Sequence, residues 1–469
     1  MQRGDAFATS EAGCDRPRGE ALRRRVSLFP LARGGRARTH PPAFCAIALS
    51  LALLFAPAGP LLFAQATTAS RVALREVASV ATAGCAGFEH TVVRGANLLI
   101  AANFWDGVAP DMGADSVVYR IDSSGRDLAL KELQRIRGRG AHGADSFAVG
   151  AERFLAIPSY YGCGSDRGPA KDSCKSTQVL RFDASRALEG GAGRGAFVEH
   201  LRLATSGPAQ TVSFAARDGT PFIIVGENFD DHVVLYRGSA AAGEPFALSK
   251  HQSLRVPGAG SMAVAEAGDE LLLVAASYHD NGWSTRSRVF RADARSPAAD
   301  LRFAESQTIN TNGCHDVELQ RVGGELFLFL SEDRSPTGTR IESSLLAWDA
   351  STSKFVVHQR IPTDGAHGAK LFEGPDGNAY LFVANFGDRL GGRYASRSAL
   401  WRQPARGRHQ QFEFVADVPS QGATDAEHFV LAGRHFLAVA NEGDIGARLH
   451  QRSAIYEVEV EGARAGGEL

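Results

Sequence analysis

The sequence lacks the short motifs that mark common catalytic and nucleotide-binding sites. It contains no Gly-x-Ser-x-Gly nucleophile elbow, no Gly-rich phosphate-binding loop and no Cys-x-x-Cys metal-ligand pair. It also lacks an excess of charge, since 51 basic and 52 acidic residues give a formal net charge of −1. Proteins that bind nucleic acid usually carry a basic surface, so the composition argues against a nucleic-acid partner.

Long hydrophobic runs are scarce as well. Only residues 43–66 form an uncharged run long enough to cross a membrane, and this run ends in Ala64-Gln65-Ala66. Because signal peptidases cut after such small-x-small patterns, we interpret residues 1–66 as a signal peptide with an extended basic n-region. An uncleaved signal anchor is the alternative. Cleavage after Ala66 predicts a secreted, periplasmic or cell-surface protein without membrane attachment.

What the sequence does contain is a sevenfold internal repeat within residues 67–469. Each copy starts with a turn glycine followed by short apolar runs, at a spacing of roughly 50 to 70 residues. The repeat glycines are Gly84, Gly140, Gly207, Gly258, Gly313, Gly365 and Gly422. This period, combined with short apolar runs, is typical of propeller blades rather than of helical solenoids.

The runs within each repeat predict four strands. The second strand is continuously apolar, as in LLIAAN (98–103) and FLAVAN (436–441), which is the pattern of a strand buried on both faces. Its terminal Asn is interpreted as turn chemistry. The fourth strand is more polar, as expected at a solvent-facing edge. Residues 73–82 match a fourth strand without a repeat before them, so they should pair with the C-terminal strand. The prediction is an all-β, seven-bladed β-propeller of four-stranded blades, closed by its N- and C-terminal strands.

Two pairs of cysteines have different expectations. Cys163 and Cys174 lie on one predicted loop, so a local disulfide between them is expected. Cys85 and Cys314 follow the turn glycine in repeats that are not neighbours. Bridged cysteines need Cα atoms within about 7 Å, so we expect these two to be free buried thiols.

The repeat resembles the EPTP, or epilepsy-associated (EAR), repeat. The resemblance rests on the pattern G-A-x-D-x-E-x-F, an apolar run ending in A-V-A-N, then S-x-I-Y, then F-x-x-x-Q-x-I-x-T-x-G-A. It covers roughly residues 73–460, with 365–401 and 422–458 matching best and the third and fourth repeats least. This family, which includes the propeller domain of leucine-rich glioma-inactivated proteins, implies a seven-bladed propeller that binds extracellular proteins without enzymatic activity.

Three positions after each turn glycine could place side chains in the central channel. The third carries His142, His315 and His367, the fourth carries Asp316 and Asp425, and the sixth carries Glu318 and Glu427. We expect these residues to ring the channel mouth and to form a binding site there. Members of the family that these repeats resemble hold a calcium ion on the Asp of G-A-x-D. The resemblance therefore implies a calcium ion at Asp316 and Asp425.

Other interpretations of the same residues stay open. The histidines could form a transition-metal site, or the channel mouth could be solvated and made of turn-forming residues. The predicted function is an extracellular or periplasmic protein-binding module of the recognition or adhesion type, whose partner is another extracellular or cell-surface protein. The alternative is a metal-dependent propeller hydrolase or lactonase with a channel metal. Trp105 and Trp283, in loops after the second strand, suit either a contact surface or loop packing.

Overall fold

The computed structural model describes residues 71–105, 113–161, 177–187, 194–239, 244–388, 391–394, 397–404, 410–443 and 452–461. The predicted signal peptide and the expected Cys163–Cys174 disulfide lie outside these residues and stay predictions. Within them the chain is all-β, apart from one 3-10 turn at Asn228–Asp230. No helix in these ranges is long and apolar enough to span a membrane.

Seven antiparallel four-stranded sheets, the blades, follow one another along the chain. Blade 1 contains β2 (Cys85–Val93), β3 (Ala96–Asn103), β4 (Ser116–Ser124) and β5 (Asp127–Ile136). Blade 2 contains β6 (Asp145–Val149), β7 (Glu152–Pro158), β8 (Thr177–Ala187) and β9 (Arg194–Leu203). Blade 3 contains β10 (Pro208–Ala215), β11 (Pro221–Glu227), β12 (His232–Ser239) and β13 (Ala247–Arg255). Blade 4 contains β14 (Ala259–Ala267), β15 (Glu270–Ser277), β16 (Ser284–Asp293) and β17 (Ala304–Asn312).

The remaining three blades have the same order. Blade 5 contains β18 (Cys314–Val322), β19 (Glu325–Glu332), β20 (Arg340–Asp349) and β21 (Lys354–Asp364). Blade 6 contains β22 (Ala366–Glu373), β23 (Ala379–Asn385), β24 (Ser398–Arg402) and β25 (Glu413–Val418). Blade 7 contains β26 (Ala423–Leu431), β27 (Arg434–Asn441), β28 (Arg452–Val460) and, from the other end of the chain, β1 (Val72–Ala81).

The blades form a closed ring. Each first strand packs against that of the next blade, and β26 of blade 7 packs against β2 of blade 1. Strand β1 pairs antiparallel with β28, from Val72 opposite Val460 to Ala81 opposite Arg452. Arg75 on β1 forms ion pairs with Glu457, at 2.5 Å, and with Glu459, at 3.1 Å. The seven-bladed prediction and its closure by the two terminal strands are confirmed.

The hydrophobic core is divided among the seven interfaces between blades. Each second strand contributes apolar side chains to the interfaces on both sides of its blade. In β15, Leu271 and Leu273 pack toward blade 3, whereas Leu272 and Val274 pack toward blade 5. Burying each such side chain contributes about 1.5–3 kcal/mol. This two-sided burial is why the second strand shows no polar alternation in the sequence.

Cys85 and Cys314 lie in this core. Both thiols are buried and free, so the prediction for this pair is confirmed. Burial raises the pKa of both thiols above their usual range.

The repeat glycines join one blade to the next through a fixed arrangement, seen clearly in blade 6. Gly365 has φ +62°, and its carbonyl accepts a hydrogen bond from the Phe386 N–H at 2.8 Å, just after the second strand. Asn385 accepts from the N–H before Gly365 (3.1 Å) and donates to the carbonyl before Ser398 (2.9 Å). The Ser398 hydroxyl in turn accepts from the Asn385 N–H at 3.2 Å. The Asn therefore ties neighbouring strands together and does not simply start its own loop.

The outer strands are joined by paired glutamine bonds. Gln359 donates to the Phe412 carbonyl at 2.9 Å and accepts from the Phe412 N–H at 2.7 Å, which links blade 5 to blade 6. Equivalent pairs, listed here, join other neighbouring blades: Gln134 with Phe197, Gln252 with Phe303, and Gln307 with Phe355. The F-x-x-x-Q part of the repeat is explained by these contacts between neighbouring blades.

Candidate binding site at the channel mouth

A bulge follows the turn glycine in most blades. In six of the seven first strands, one extra residue interrupts pairing with the second strand, as between Cys314 and Asp316 in blade 5. Such bulges turn a strand and re-aim its side chains. His315 and His367, in the third position, fall within this irregularity. His142 instead precedes β6, whose pairing with β7 has no bulge.

The three predicted histidines lie together although they come from blades 2, 5 and 6. The ring centroids of His142 and His315 are 6.5 Å apart, and those of His315 and His367 are 3.4 Å apart. His315 Nδ1 donates to the His367 carbonyl at 3.1 Å, and His367 Nδ1 donates to the Thr424 carbonyl at 3.3 Å. These bonds orient two of the rings, so the histidines form a defined cluster at the start of the first strands.

Aromatic side chains that sequence reasoning missed surround this cluster. They occupy the position after the polar residue that ends the second strand: Phe104, Tyr160, Phe229, Tyr278 and Phe386. Because antiparallel strands alternate in direction, the end of the second strand and the start of the first lie at the same face of the blade. We call these five residues the aromatic rim. The signal in the sequence is an aromatic residue that follows the polar residue after the apolar run in five of the seven repeats, as in ANF and ASY.

The aromatic rim packs directly on the histidines. His142 lies 4.6 Å from Phe104 and 5.0 Å from Tyr160, measured between ring centroids. His315 lies 5.1 Å from Tyr278, and His367 lies 5.1 Å from Phe386. Phe229 extends the rim outward, 4.9 Å from Tyr160, and keeps 38% of its surface exposed.

The two tryptophans singled out in the sequence behave differently from the rim. Trp283 is half-buried and packs against Tyr278 at 5.5 Å, with the Arg334 guanidinium 5.1 Å from its ring centroid. Loop packing is therefore the role the structure gives it. Trp105 is half-buried too, and its carbonyl lies against Gly84.

Carboxylates line the channel at the fourth and sixth positions. Burial, and then repulsion from Asp316, raises the pKa of Asp425 well above its ordinary value. Burial also raises the pKa of Glu318 to about 7, although Lys370 opposes this shift. Glu89 and Asp145 join the group, and burial raises their pKa values too, that of Asp145 to about 7. The channel therefore gathers acidic side chains beneath the histidine cluster, and their burial favours the protonated, neutral form of the carboxyl groups.

Part of this carboxylate group is structural. Glu318 accepts from the Leu371 N–H of the next blade at 3.1 Å, and Glu89 accepts from the Ser146 N–H at 3.1 Å. Where the fourth position holds a neutral residue the contact is similar, since Gln210 accepts from the Met262 N–H at 2.9 Å. The channel side chains thus link each first strand to its neighbour.

The donor arrangement does not favour a resident divalent metal. Among the described residues, no three His, Cys, Asp or Glu side chains are placed to hold a metal ion, whereas calcium takes six to eight oxygen ligands. Asp316 turns toward blade 4, where it accepts from the Ser261 hydroxyl at 2.5 Å. The Asp425 carboxylate lies between two glycines, with Oδ2 3.1 Å from where a Cβ of Gly87 would lie and Oδ1 3.1 Å from where a Cβ of Gly368 would lie. Calcium at Asp316 and Asp425 stays a prediction.

Comparison with known proteins connects these repeats to a family. The EPTP domain family matches residues 411–457, which contain most of blade 7. A mouse "Thrombospondin-type laminin G domain and EAR repeat-containing protein" is 30% identical over 143 residues, covering 30% of this chain and 20% of that protein. Its human counterpart is 35% identical over 86 residues, covering 18% and 13%. The chain thus matches a fifth or less of the length of these relatives.

Solved structures show only distant similarity. A putative 6-phosphogluconolactonase from Bacteroides fragilis has 12% identity and a TM-score of 0.49, covering 77% of this chain and 98% of that one. A protein from Lactobacillus plantarum has 13% identity and a TM-score of 0.49, covering 74% and 89%. Similarity at this level gives no information on function. The EPTP match, in contrast, falls on one of seven repeats that all fold into the same blade, and it supports the resemblance of these repeats to the EPTP, or EAR, repeat.

Proposed function

We propose that this protein is a recognition module that binds another extracellular or cell-surface protein through the face containing the channel mouth, without catalysing a reaction. The observation that carries the proposal is the accessible part of the aromatic rim beside the histidine cluster, namely exposed Phe229 with half-buried Tyr160 and Tyr278. Tyr, Trp, Phe and Arg are enriched at the centres of protein interfaces because they bury a large area at low cost in side-chain entropy. The similarity to EPTP and EAR repeats supports the same function, because the resemblance implies a propeller that binds extracellular proteins.

The electrostatics of the mouth indicate the chemistry of the partner surface. The channel beneath the histidine cluster carries the carboxylates of Asp316, Asp425, Glu318 and Glu427. An approaching surface with a basic group at its centre would favour the ionised form of these carboxyl groups, and apolar groups around it would pack on the aromatic rim. Charge complementarity of this kind favours orientation and association rate more than raw affinity.

The hydrolase alternative has weaker support. A channel-metal hydrolase needs several protein ligands around one ion plus an open position. In the part of the chain that the structure describes, the histidines and carboxylates are not arranged in such a set. The placement outside the cell rests on the predicted signal peptide at residues 1–66, so it is part of the proposal.

A matched pair of surface substitutions tests the binding face. Phe229→Ser alters the rim, while Val430→Ser changes a residue that is 47% exposed near the end of β26, at the opposite face. The purified full chain and both variants are used as bait against a displayed library of extracellular proteins, with titration of any partner recovered. Loss of an interface anchor costs about 2 kcal/mol or more, so Phe229→Ser should weaken binding roughly 30-fold, whereas Val430→Ser should not. A partner that binds Phe229→Ser as well as it binds the parent contradicts the proposed face, and recovery of no partner contradicts the function.

A further inference from the structure

Lys370 is the one cation among the channel positions. The fourth and sixth positions of the repeats, all among the described residues, hold six carboxylates: Glu89, Asp145, Asp316, Glu318, Asp425 and Glu427. Blade 6 differs from the others in having a lysine, Lys370, at the sixth position, whereas the glycine at its fourth position, Gly368, has counterparts in blades 1 and 2. Alternate residues of a strand point to the same side. The Lys370 side chain therefore lies on the same side of β22 as Gly368, which has no side chain of its own.

The ammonium of Lys370 lies among carboxylates from both neighbouring blades. Its Nζ is 2.8 Å from Glu427 Oε2 of blade 7, with the two side chains only 26% and 16% exposed. On the other side, Glu318 of blade 5 accepts from the N–H of Leu371, the residue that follows Lys370. Burial opposes the charged ammonium, but the carboxylates of Glu427, Glu318 and Asp425 outweigh it and raise the pKa of Lys370 well above its usual range.

The absence of a side chain at Gly368 gives Asp425 its place. A Cβ on Gly368 would lie 3.1 Å from Asp425 Oδ1 and 2.4 Å from the Thr424 carbonyl oxygen. Blade 6 therefore leaves space at the fourth position, where the neighbouring blades have aspartates. It places a cation at the sixth position, where they have glutamates. Both features concern the two aspartates, on blades 5 and 7, that the family resemblance assigns to calcium.

We propose that the ammonium of Lys370 is the resident cation of this channel, standing in for the metal ion that the family resemblance implies. Carboxylates that share a channel of low polarity repel one another, and a cation placed between them offsets that repulsion. A cation carried on a side chain is always present, so the channel needs no divalent metal. This inference does not depend on the binding function proposed above.

The first test needs no substitution. The purified full chain is unfolded in urea with and without EDTA, and calcium binding is measured by calorimetry. The expected result is one unfolding midpoint under both conditions and no stoichiometric calcium binding. A lower midpoint in EDTA, or saturable binding of one calcium ion, overturns the proposal and favours the predicted calcium site at Asp316 and Asp425.

The second test removes the cation. Lys370→Met keeps the length of the side chain without its charge, and Lys354→Met is the control at an exposed lysine on β21. Lys370→Met should lower the urea midpoint and show saturable calcium binding where the parent shows none, because ligand charge sets calcium affinity. Lys370→Met behaving like Lys354→Met in both measurements overturns the proposal.

A third variant covers the case in which Lys370→Met does not fold. The double substitution Lys370→Met/Glu427→Gln removes the opposing carboxylate together with the ammonium. It should regain much of the lost stability, since breaking one side of a buried pair costs more than removing both. If the double variant is no more stable than Lys370→Met, the ion pair is not what the lysine contributes, and the proposal fails.

Discussion

Replacement of Gly365 by alanine tests how the blades are joined. The residue has φ +62°, and an added methyl group would lie 2.2 Å from the Gly387 carbonyl oxygen. Holding an L-residue in this left-handed conformation costs roughly 1–2 kcal/mol. Relieving the contact means moving backbone next to Phe386, at a cost of roughly 1–3 kcal/mol for overpacking. We expect the free energy of unfolding to fall by about 2–5 kcal/mol.

Gly433 provides a matched control. It has φ +72°, but no atom lies within 4 Å of where its Cβ would be. Gly433→Ala should therefore cost only the roughly 1–2 kcal/mol of the left-handed conformation. Both variants are compared with the parent by urea unfolding of the full chain, followed by tryptophan fluorescence. Equal losses in the two variants would show that contact with the loop after the second strand contributes nothing, and the explanation for the repeat glycines would be wrong.

Two further outcomes follow from the same structure. Gln359→Ala leaves the Phe412 backbone groups without their partner and should lower the free energy of unfolding in urea by about 1–3 kcal/mol. Gln320→Ala, at an exposed residue of β18, should lower it by almost nothing. Equal effects of the two substitutions would contradict the role of Gln359 in joining the blades. Burial raises the pKa of Asp145 and Glu318 to about 7, so the folded chain holds protons that the unfolded chain releases near pH 4, and the contribution of these groups to stability falls as pH rises from about 4 to 7. Asp145→Asn should flatten the decline in urea midpoint over that range, and an unchanged slope would contradict the assignment.

The fold could be predicted because the apolar runs of each repeat show which strands must be buried. An apolar run such as LLLVAA must be buried on both faces, and seven such runs in phase require seven equivalent interfaces. The closing strand was predictable for the same reason, since residues 73–82 had no blade of their own. The Asn at the end of the second strand was interpreted less well. Its partners lie on the neighbouring strand and before the next glycine, and those contacts depend on the fold.

The candidate site was only partly predictable. The third, fourth and sixth positions could be named from the repeat, but the distance between His315 and His367 depends on the bulge, which has no signature in one sequence. The aromatic rim is not predicted from the sequence, because Phe104 and Phe229 follow predicted strands and look like loop residues. The prediction of a contact surface names tryptophans instead. Lys370 was ignored because a lone lysine at a carboxylate position looks like an exception to a pattern. Its role becomes clear only from the structure, in which Lys370 Nζ lies 2.8 Å from a carboxylate oxygen of Glu427.

The closure of blade 7 has a consequence for the order of events in folding. Arg75 and Glu459, which form an ion pair across the closing strands, are 384 residues apart in the chain. Contacts of such long separation form slowly, because ordering the intervening chain costs entropy before the contact contributes. Ribosomes make β1 first, yet it has no partner until β28 has been synthesised. Six blades can assemble from local hairpins in the meantime, so joining the ends should be the late, slow step that makes the ring resistant to unfolding.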